Sequence, residues 1–258
     1  MKFFLTNWLF FLLISCFNAQ EKTINENFSF DKKSKVLMIG NSFTFYWNLP
    51  QVVERMLVDN GFNYEVTQQT IGGSQLKKHW DLNTKNEYQI ENYDYVVFND
   101  HSTYPLKNLD TSSKYFNLFC SLAISKNVRP FVFGTWEYQM LKDLSQNKKR
   151  NTMSILDSLA SVNNAIYVPV GNAFELAERK YPELDLFMDD NKHPSPNGTY
   201  LAACVFYSML TKESCIGVAR RFIGTDNNGK KIYYIITESR ASKKCQEIAD
   251  IITAPIRN

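Results

Sequence analysis

The chain has 258 residues, of which 44% are hydrophobic and 21% are charged, which is enough apolar material to build one α/β domain with a full core. The net charge is +3, and no stretch of Lys and Arg is dense enough to indicate a nucleic-acid-binding protein. These values are typical of a folded and not of a disordered chain, and we expect no nucleic-acid partner.

Residues 1–19 predict a signal peptide, because Lys2 precedes an apolar run that is shorter than the roughly 20 residues a membrane span needs. Residues 13–16 resemble a bacterial lipobox, which would place a lipid anchor on Cys16. Cleavage by a signal peptidase after Ala19 is the alternative. Both interpretations predict an exported bacterial protein, either periplasmic, extracellular or lipid-anchored at the cell surface, and neither predicts a membrane span.

Strand-like and helix-like segments alternate through residues 35–258, which predicts a single domain after a loose lead-in at residues 20–34. Strands are predicted at residues 35–40, 63–69, 94–99, 129–134 and 165–170. Helices are predicted at about residues 49–57, 111–125, 149–162, 171–180, 197–210 and 241–253. This alternation favours a three-layer αβα fold with a doubly wound, mainly parallel sheet. The pattern in residues 221–240 fits either a hairpin or a loop followed by a strand.

A serine and an aspartate–histidine pair are the strongest candidates for catalysis. Ser42 follows the first predicted strand, and Asp190 lies three residues before His193. A serine hydroxyl needs a base within hydrogen-bond reach, and the imidazole of His193 is the predicted base. Asp190 would orient that imidazole, with Asp189 as an alternative orienter.

Further candidates follow the other predicted strands, whose carboxyl ends share one edge of the sheet. Gly72, Gly73 and Asn99 lie at these strand ends. Three more residues are possible substrate-binding residues by their position in the chain, although a structural role is the alternative for each: His79, His101 and Trp136.

Four of these segments together resemble the sequence blocks of the SGNH/GDSL hydrolase superfamily. Gly40-Asn41-Ser42-Phe43-Thr44 resembles the first block in its Gly-Asn-Ser variant, and Asp190-x-x-His193 resembles the last. Ile71-Gly72-Gly73-Ser74 resembles the glycine block. Residues 96–100 resemble the Asn block, although the usual glycine two positions before its Asn is Val97 here.

The resemblance implies a flavodoxin-like fold and a serine esterase with Ser42, Asp190 and His193 as its catalytic residues, and the predicted signal peptide makes it an exported one. The substrate it implies is a small acyl ester, such as an acetyl ester, on a small molecule or a carbohydrate, and it implies neither a cofactor nor a metal. The implied oxyanion donors are the backbone N–H of Ser42, the backbone N–H of Gly73 or Gly72, and the side-chain amide of Asn99.

Two other functions remain open from the sequence. Asp100, His101, Asp190 and His193 could ligate a metal in a phosphoesterase. A non-catalytic glycan-binding protein on a hydrolase fold is the second alternative. Cys215 and Cys245 lie in polar segments, where an exported protein could form a disulfide or keep free thiols.

Overall fold

The computed structural model describes residues 32–83 and 88–257. The predicted signal peptide, Cys16 and nearly all of the lead-in therefore lie outside the described residues, and their roles stay predictions. Within the described ranges, no helix is long and apolar enough to cross a membrane.

A five-stranded parallel sheet forms the centre of the domain, in the order β2-β1-β3-β4-β5. Its strands are β1 (Ser34–Gly40), β2 (Tyr64–Thr70), β3 (Tyr95–Phe98), β4 (Arg129–Phe133) and β5 (Ile166–Val168). The central strands are continuous apolar runs because the sheet is flanked by helices, and Val36, Leu37, Met38 and Ile39 of β1 are all fully buried. The predicted parallel α/β fold is confirmed.

The helices complete the layers around the sheet. In the described part of the chain they are α1 (Ser42–Phe45), α2 (Leu49–Asp59), α3 (Leu76–Asn83), α4 (Tyr104–Lys107), α5 (Leu109–Ser125), α6 (Gln139–Ser145), α7 (Thr152–Val162), α8 (Val170–Lys180), α9 (Pro196–Thr211) and α10 (Ser239–Arg257). All six predicted helices are present. The four that were not predicted, α1, α3, α4 and α6, are short, so they show too few turns for a helical period to be read.

The segment that the sequence left open is a hairpin. Strands β6 (Arg221–Thr225) and β7 (Lys231–Ile236) pair antiparallel. The Asp226 carboxylate closes the turn by accepting hydrogen bonds from the backbone N–H groups of Asn228 and Lys230, at 2.9 and 2.8 Å. A hydrogen bond joins the hairpin to the segment just after α1: the Asn48 amide donates to the Tyr234 carbonyl at 3.1 Å.

The two cysteines that an exported protein could pair are free thiols in the structure. Cys215 and Cys245 are both fully buried, at 0% exposure, although the surrounding sequence is polar. Each thiol lies against a backbone carbonyl, that of Gln246 for Cys215 and that of Asn197 for Cys245. The possible disulfide between them is therefore not formed.

Candidate active site

The nucleophile turn joins the end of β1 to α1. The side chain of Asn41 caps α1 by accepting from the backbone N–H of Phe43 at 3.1 Å, and this cap makes Ser42 the first helical residue. Gly40 precedes the turn without a side chain because the space is filled. A Cβ there would lie 2.3 Å from Thr44 Oγ1 and 2.8 Å from Asn99 Cβ.

Three predicted catalytic side chains meet at this turn. His193 Nε2 lies 2.9 Å from Ser42 Oγ, and His193 Nδ1 lies 2.5 Å from Asp190 Oδ2. An ionised carboxylate only accepts hydrogen bonds, so Nδ1 carries the proton and the neutral Nε2 accepts from the serine hydroxyl. This is the tautomer that lets an imidazole act as a base toward serine.

Asp190 is held as a carboxylate by its own loop. Its Oδ1 accepts the backbone N–H groups of Lys192 and His193, at 3.0 and 2.9 Å, while Oδ2 faces the imidazole. Slight desolvation raises the pKa of Asp190, but the hydrogen bonds from His193 and Lys192 outweigh it and lower that pKa to about 2. The alternative orienter, Asp189, forms no hydrogen bond to His193 in the described structure.

Two aromatic rings fix the plane of the His193 imidazole. Tyr46 stacks on it with ring centroids 4.1 Å apart and an interplanar angle of 8°. Phe43 meets it edge-on, at 5.8 Å and 84°. A π face next to an imidazole favours its protonated form, so Tyr46 is placed to stabilise the charge that develops on the base. Sequence reasoning missed Tyr46, although the aromatic run after Ser42 was the available signal.

Trp136 packs next to the loop that carries His193 and donates a hydrogen bond to it. Its indole is 1% exposed and lies between Phe43 and Phe174, with ring centroids 4.4 and 4.3 Å away. Its Nε1–H donates to the Lys192 carbonyl at 3.0 Å. The structure thus replaces the suggested substrate contact of Trp136 with a positioning role, because the buried ring has almost no surface to offer a ligand.

Two backbone donors lie at a small cavity beside Ser42. The cavity is lined by Asn41, Ser42, Phe43, Gly73, His101, Ser102 and Lys192. Gly73, at a φ of +66°, lies in this lining, whereas Gly72 does not. Within the described residues, the N–H groups of Ser42 and Gly73 form no hydrogen bond. Of the two glycines that the sequence left open, Gly73 is the one at the nucleophile.

Asn99 lies beneath the nucleophile turn and does not line the cavity. It is 1% exposed, and its Oδ1 accepts from Thr44 Oγ1 at 3.1 Å and from the Asn41 N–H at 3.4 Å. Its Nδ2 donates to the Asp100 carbonyl at 3.0 Å. One of the two Nδ2–H donors is used in this way, and the buried amide is absent from the cavity lining, which does not match the oxyanion position that the resemblance implied.

A second buried asparagine, Asn41, connects its own loop to two others by hydrogen bonds. This role was not predicted from the sequence. Asn41 Nδ2 donates to the carbonyls of Ser74 and Asp100, at 3.1 and 3.0 Å. The Asp100 carboxylate in turn accepts from the Leu76 N–H at 2.9 Å and the Ser112 hydroxyl at 2.7 Å. Burial raises the pKa of Asp100, while these hydrogen bonds act in the opposite direction.

His79 is also part of this support. It is fully buried, and its Nε2 donates to the Gly40 carbonyl at 2.9 Å, so its Nδ1 accepts from the Tyr88 hydroxyl at 2.8 Å. Burial lowers the pKa of His79 to about 4, which keeps the imidazole neutral. His79 therefore holds the end of β1, and its fully buried ring has no surface to offer a substrate.

The predicted metal ligands do not form a cluster. Among the described residues, no group of three or more His, Cys, Asp or Glu side chains could hold a metal ion. Asp100 is occupied by hydrogen bonds below the turn, and Asp190 is occupied by His193. The metal-dependent phosphoesterase hypothesis has no support from this geometry.

No model of a known protein family matches this chain, and no curated protein matches it. A proposed SGNH hydrolase from Slackia heliotrinireducens is similar in structure, with a TM-score of 0.58 and 24% identity over 69% of this chain and 98% of its own. A DUF4886 family protein from Bacteroides uniformis gives a TM-score of 0.62 with 17% identity, over 88% of this chain and 97% of its own. An acetyl xylan esterase, AlAXEase, gives 0.56 with 18% identity, over 67% and 98%.

Proposed function

We propose that this chain, which has the fold of the SGNH hydrolases, is an exported serine esterase that removes a small acyl group, such as acetyl, from a carbohydrate. The observation that carries the proposal is the position of His193, within 2.9 Å of the Ser42 hydroxyl and 2.5 Å of the Asp190 carboxylate. The proposed export rests on the predicted signal peptide.

The mechanism follows from the positions of the protons: His193 Nδ1 carries one, and Nε2 is free to accept the proton of Ser42. Ser42 Oγ attacks the carbonyl carbon of the ester, and its proton passes to His193 Nε2. Asp190 stabilises the resulting imidazolium, and the N–H groups of Ser42 and Gly73 donate to the oxyanion. Collapse of the tetrahedral intermediate releases the alcohol, which takes its proton from Nε2. Water then attacks the acyl-serine while His193 Nε2 takes its proton. Nε2 returns that proton to Ser42 Oγ as the acid is released.

The size of the acyl group follows from the cavity beside Ser42. The cavity is small, with a volume of about 20 Å³, and Phe43 is one of its lining residues. A pocket of this size suits an acetyl group better than a long acyl chain. The acetyl xylan esterase among the similar structures supports the same choice.

A neighbouring apolar groove supports a carbohydrate as the alcohol part of the substrate. It is lined by Trp47, Pro196 and β7 of the hairpin, including Tyr233. Trp47 directly follows the Tyr46 ring that stacks on His193, and Pro196 lies three residues after His193. Trp47 and Tyr233 are 38% and 54% exposed, which leaves aromatic faces on which the C–H face of a sugar ring can pack.

Hydrolysis of an aryl acetate tests the proposal. The parent protein should release the phenol, and Ser42→Ala should be inactive with an unchanged melting temperature, because Ser42 contributes little to the core. Ser239→Ala, an exposed serine at the start of α10, is the matched control and should keep full activity.

Two further measurements exclude other interpretations. A fluorophosphonate should label the parent at Ser42, and a chelator should leave its activity unchanged. Activity that survives in Ser42→Ala, or that a chelator abolishes, would contradict the serine mechanism. An inactive, unlabelled parent would favour a non-catalytic glycan-binding protein.

A further inference from the structure

The cavity at Ser42 is lined by His101, whose ring carries a donor that the mechanism above does not use. We infer that His101 supplies the third oxyanion donor, through its Nε2–H, in the place that the resemblance assigned to the Asn99 amide. The inference rests on the proposed esterase function and adds a catalytic residue to it.

The hydrogen bonds of His101 determine which of its nitrogens carries the proton. The backbone N–H of Thr103 lies 3.3 Å from His101 Nδ1, and the Thr103 hydroxyl lies 3.0 Å from the same atom. A backbone N–H can only donate, so Nδ1 is the acceptor and the proton of the neutral ring is on Nε2. The turn after β3 therefore fixes a donor on the opposite edge of the ring.

That opposite edge has no partner. Nε2 of His101 forms no hydrogen bond with any described residue, and it is not among the buried unpartnered atoms of this part of the chain, so it reaches accessible space. His101 itself is half-buried and lines the same small cavity as Ser42 and Gly73. The ring is packed at an angle of 64° against Tyr104, with centroids 5.5 Å apart, so its direction is fixed.

The other polar side chains of the cavity are less suited to this role. Both ends of the Asn41 amide are hydrogen-bonded, and the Ser102 hydroxyl lies 3.4 Å from the Tyr138 hydroxyl. The Lys192 ammonium lies over the Tyr138 ring, 5.4 Å from its centroid. The Lys192 ammonium forms no hydrogen bond with a described residue, but it ends a flexible side chain. His101 is therefore the lining side chain that offers a donor in a fixed direction.

The ring also has the right charge state for this role. Burial lowers the pKa of His101, and the nearby Lys192 lowers it further, while Asp100 acts in the opposite direction. A neutral imidazole presents one fixed N–H and leaves the proton transfers to His193. The hydrogen bond to the substrate oxygen strengthens only as negative charge develops there, so it should act on kcat more than on KM.

The test compares two replacements of His101 on an aryl acetate. His101→Phe keeps an aromatic ring against Tyr104 but has no N–H, and it should lose roughly 100- to 1,000-fold in kcat, with KM changed by at most a few-fold. His101→Gln presents an amide N–H at similar reach and should recover most of that loss. Melting temperatures of both variants report whether the fold is kept, and a boronic acid inhibitor should bind His101→Phe more weakly by a similar factor.

The outcomes separate this inference from the proposed function. If the parent hydrolyses the ester and is labelled at Ser42, but His101→Phe keeps kcat within a few-fold of the parent, the inference is wrong and the esterase function stands. An equal loss of kcat in His101→Gln and His101→Phe would also overturn it, because a donor would then not be what matters. If the parent shows neither hydrolysis nor labelling, both the inference about His101 and the proposed esterase function are wrong.

Discussion

The buried histidine below the nucleophile turn makes the stability of this protein depend on pH. His79 is neutral in the folded state, where its N–H holds the Gly40 carbonyl at the end of β1. Protonation would place a charge in a fully buried site whose second nitrogen already accepts a hydrogen bond from Tyr88. Acidification should therefore destabilise the parent protein, and His79→Gln is the comparison.

The sign and size of the effect follow from the pKa. Burial lowers the pKa of His79 from its ordinary 6.5 to about 4. Above pH 6.5 the ring is neutral in both states, and the pH has no effect through this residue. Between pH 6.5 and about 4, the unfolded chain binds a proton that the folded chain excludes, so the free energy of unfolding falls as the pH falls. At 1.36 kcal/mol per pKa unit, the total loss is about 3 kcal/mol.

Urea unfolding of the parent and of His79→Gln, from about pH 4 to about pH 7.5, measures this loss. Glutamine can still donate to the Gly40 carbonyl but does not titrate, and the other titrating groups cancel in the difference between the proteins. We expect the parent to be the more stable at neutral pH, and its advantage to shrink by about 3 kcal/mol toward pH 4. Parallel pH profiles for the two proteins would refute the argument.

Three further predictions concern the residues around His193 and the nucleophile turn. Asp190→Asn should lower kcat by roughly 10,000-fold, because an amide does not hold the required tautomer; a loss of only a few-fold in steady-state assays would contradict this. Tyr46→Ala should lower kcat by about 2- to 30-fold, the equivalent of about 0.5–2 kcal/mol for a lost ring–cation contact, and Tyr46→Phe should lose much less. Asn99→Ala should lower the free energy of unfolding by about 1–3 kcal/mol, since it leaves buried partners unpaired; an unchanged denaturation midpoint would contradict that role.

The sheet and the meeting of Ser42 with His193 could be predicted because both follow from strong constraints. The central strands are runs of apolar residues that helices cover, and parallel strands place their carboxyl ends at one edge. The aspartate–histidine spacing then needs only a tight loop before α9. The Ser195 hydroxyl supplies the start of that helix by accepting the N–H groups of Asn197 and Gly198, at 3.1 and 3.2 Å.

The positions of Asn99 and His101 could not be predicted in the same way. Strand β3 ends at Phe98, so the direction of every side chain beyond it depends on the turn and no longer on the alternation of a strand. The turn is set by contacts distant in sequence, such as the Leu76 N–H and the Ser112 hydroxyl on the Asp100 carboxylate. A sequence pattern shows none of these contacts, and the position of an Asn in a motif does not say which way its amide faces.

The residues that hold this site differ from those that can act in it by whether their polar groups already have hydrogen-bond partners within the protein. The Asn41 amide makes all of its donor hydrogen bonds inside the protein and has none left for a substrate, so Asn41 has a structural role. Asn99 is buried and absent from the cavity lining. An oxyanion needs the opposite, which is a set of fixed donors that the protein itself leaves unpaired. The N–H groups of Ser42 and Gly73 meet this condition, as does His101 Nε2, and all three residues line one cavity. The buried polar groups below the turn are hydrogen-bonded to one another, whereas these three donors remain unpaired by the protein and can donate to the oxyanion.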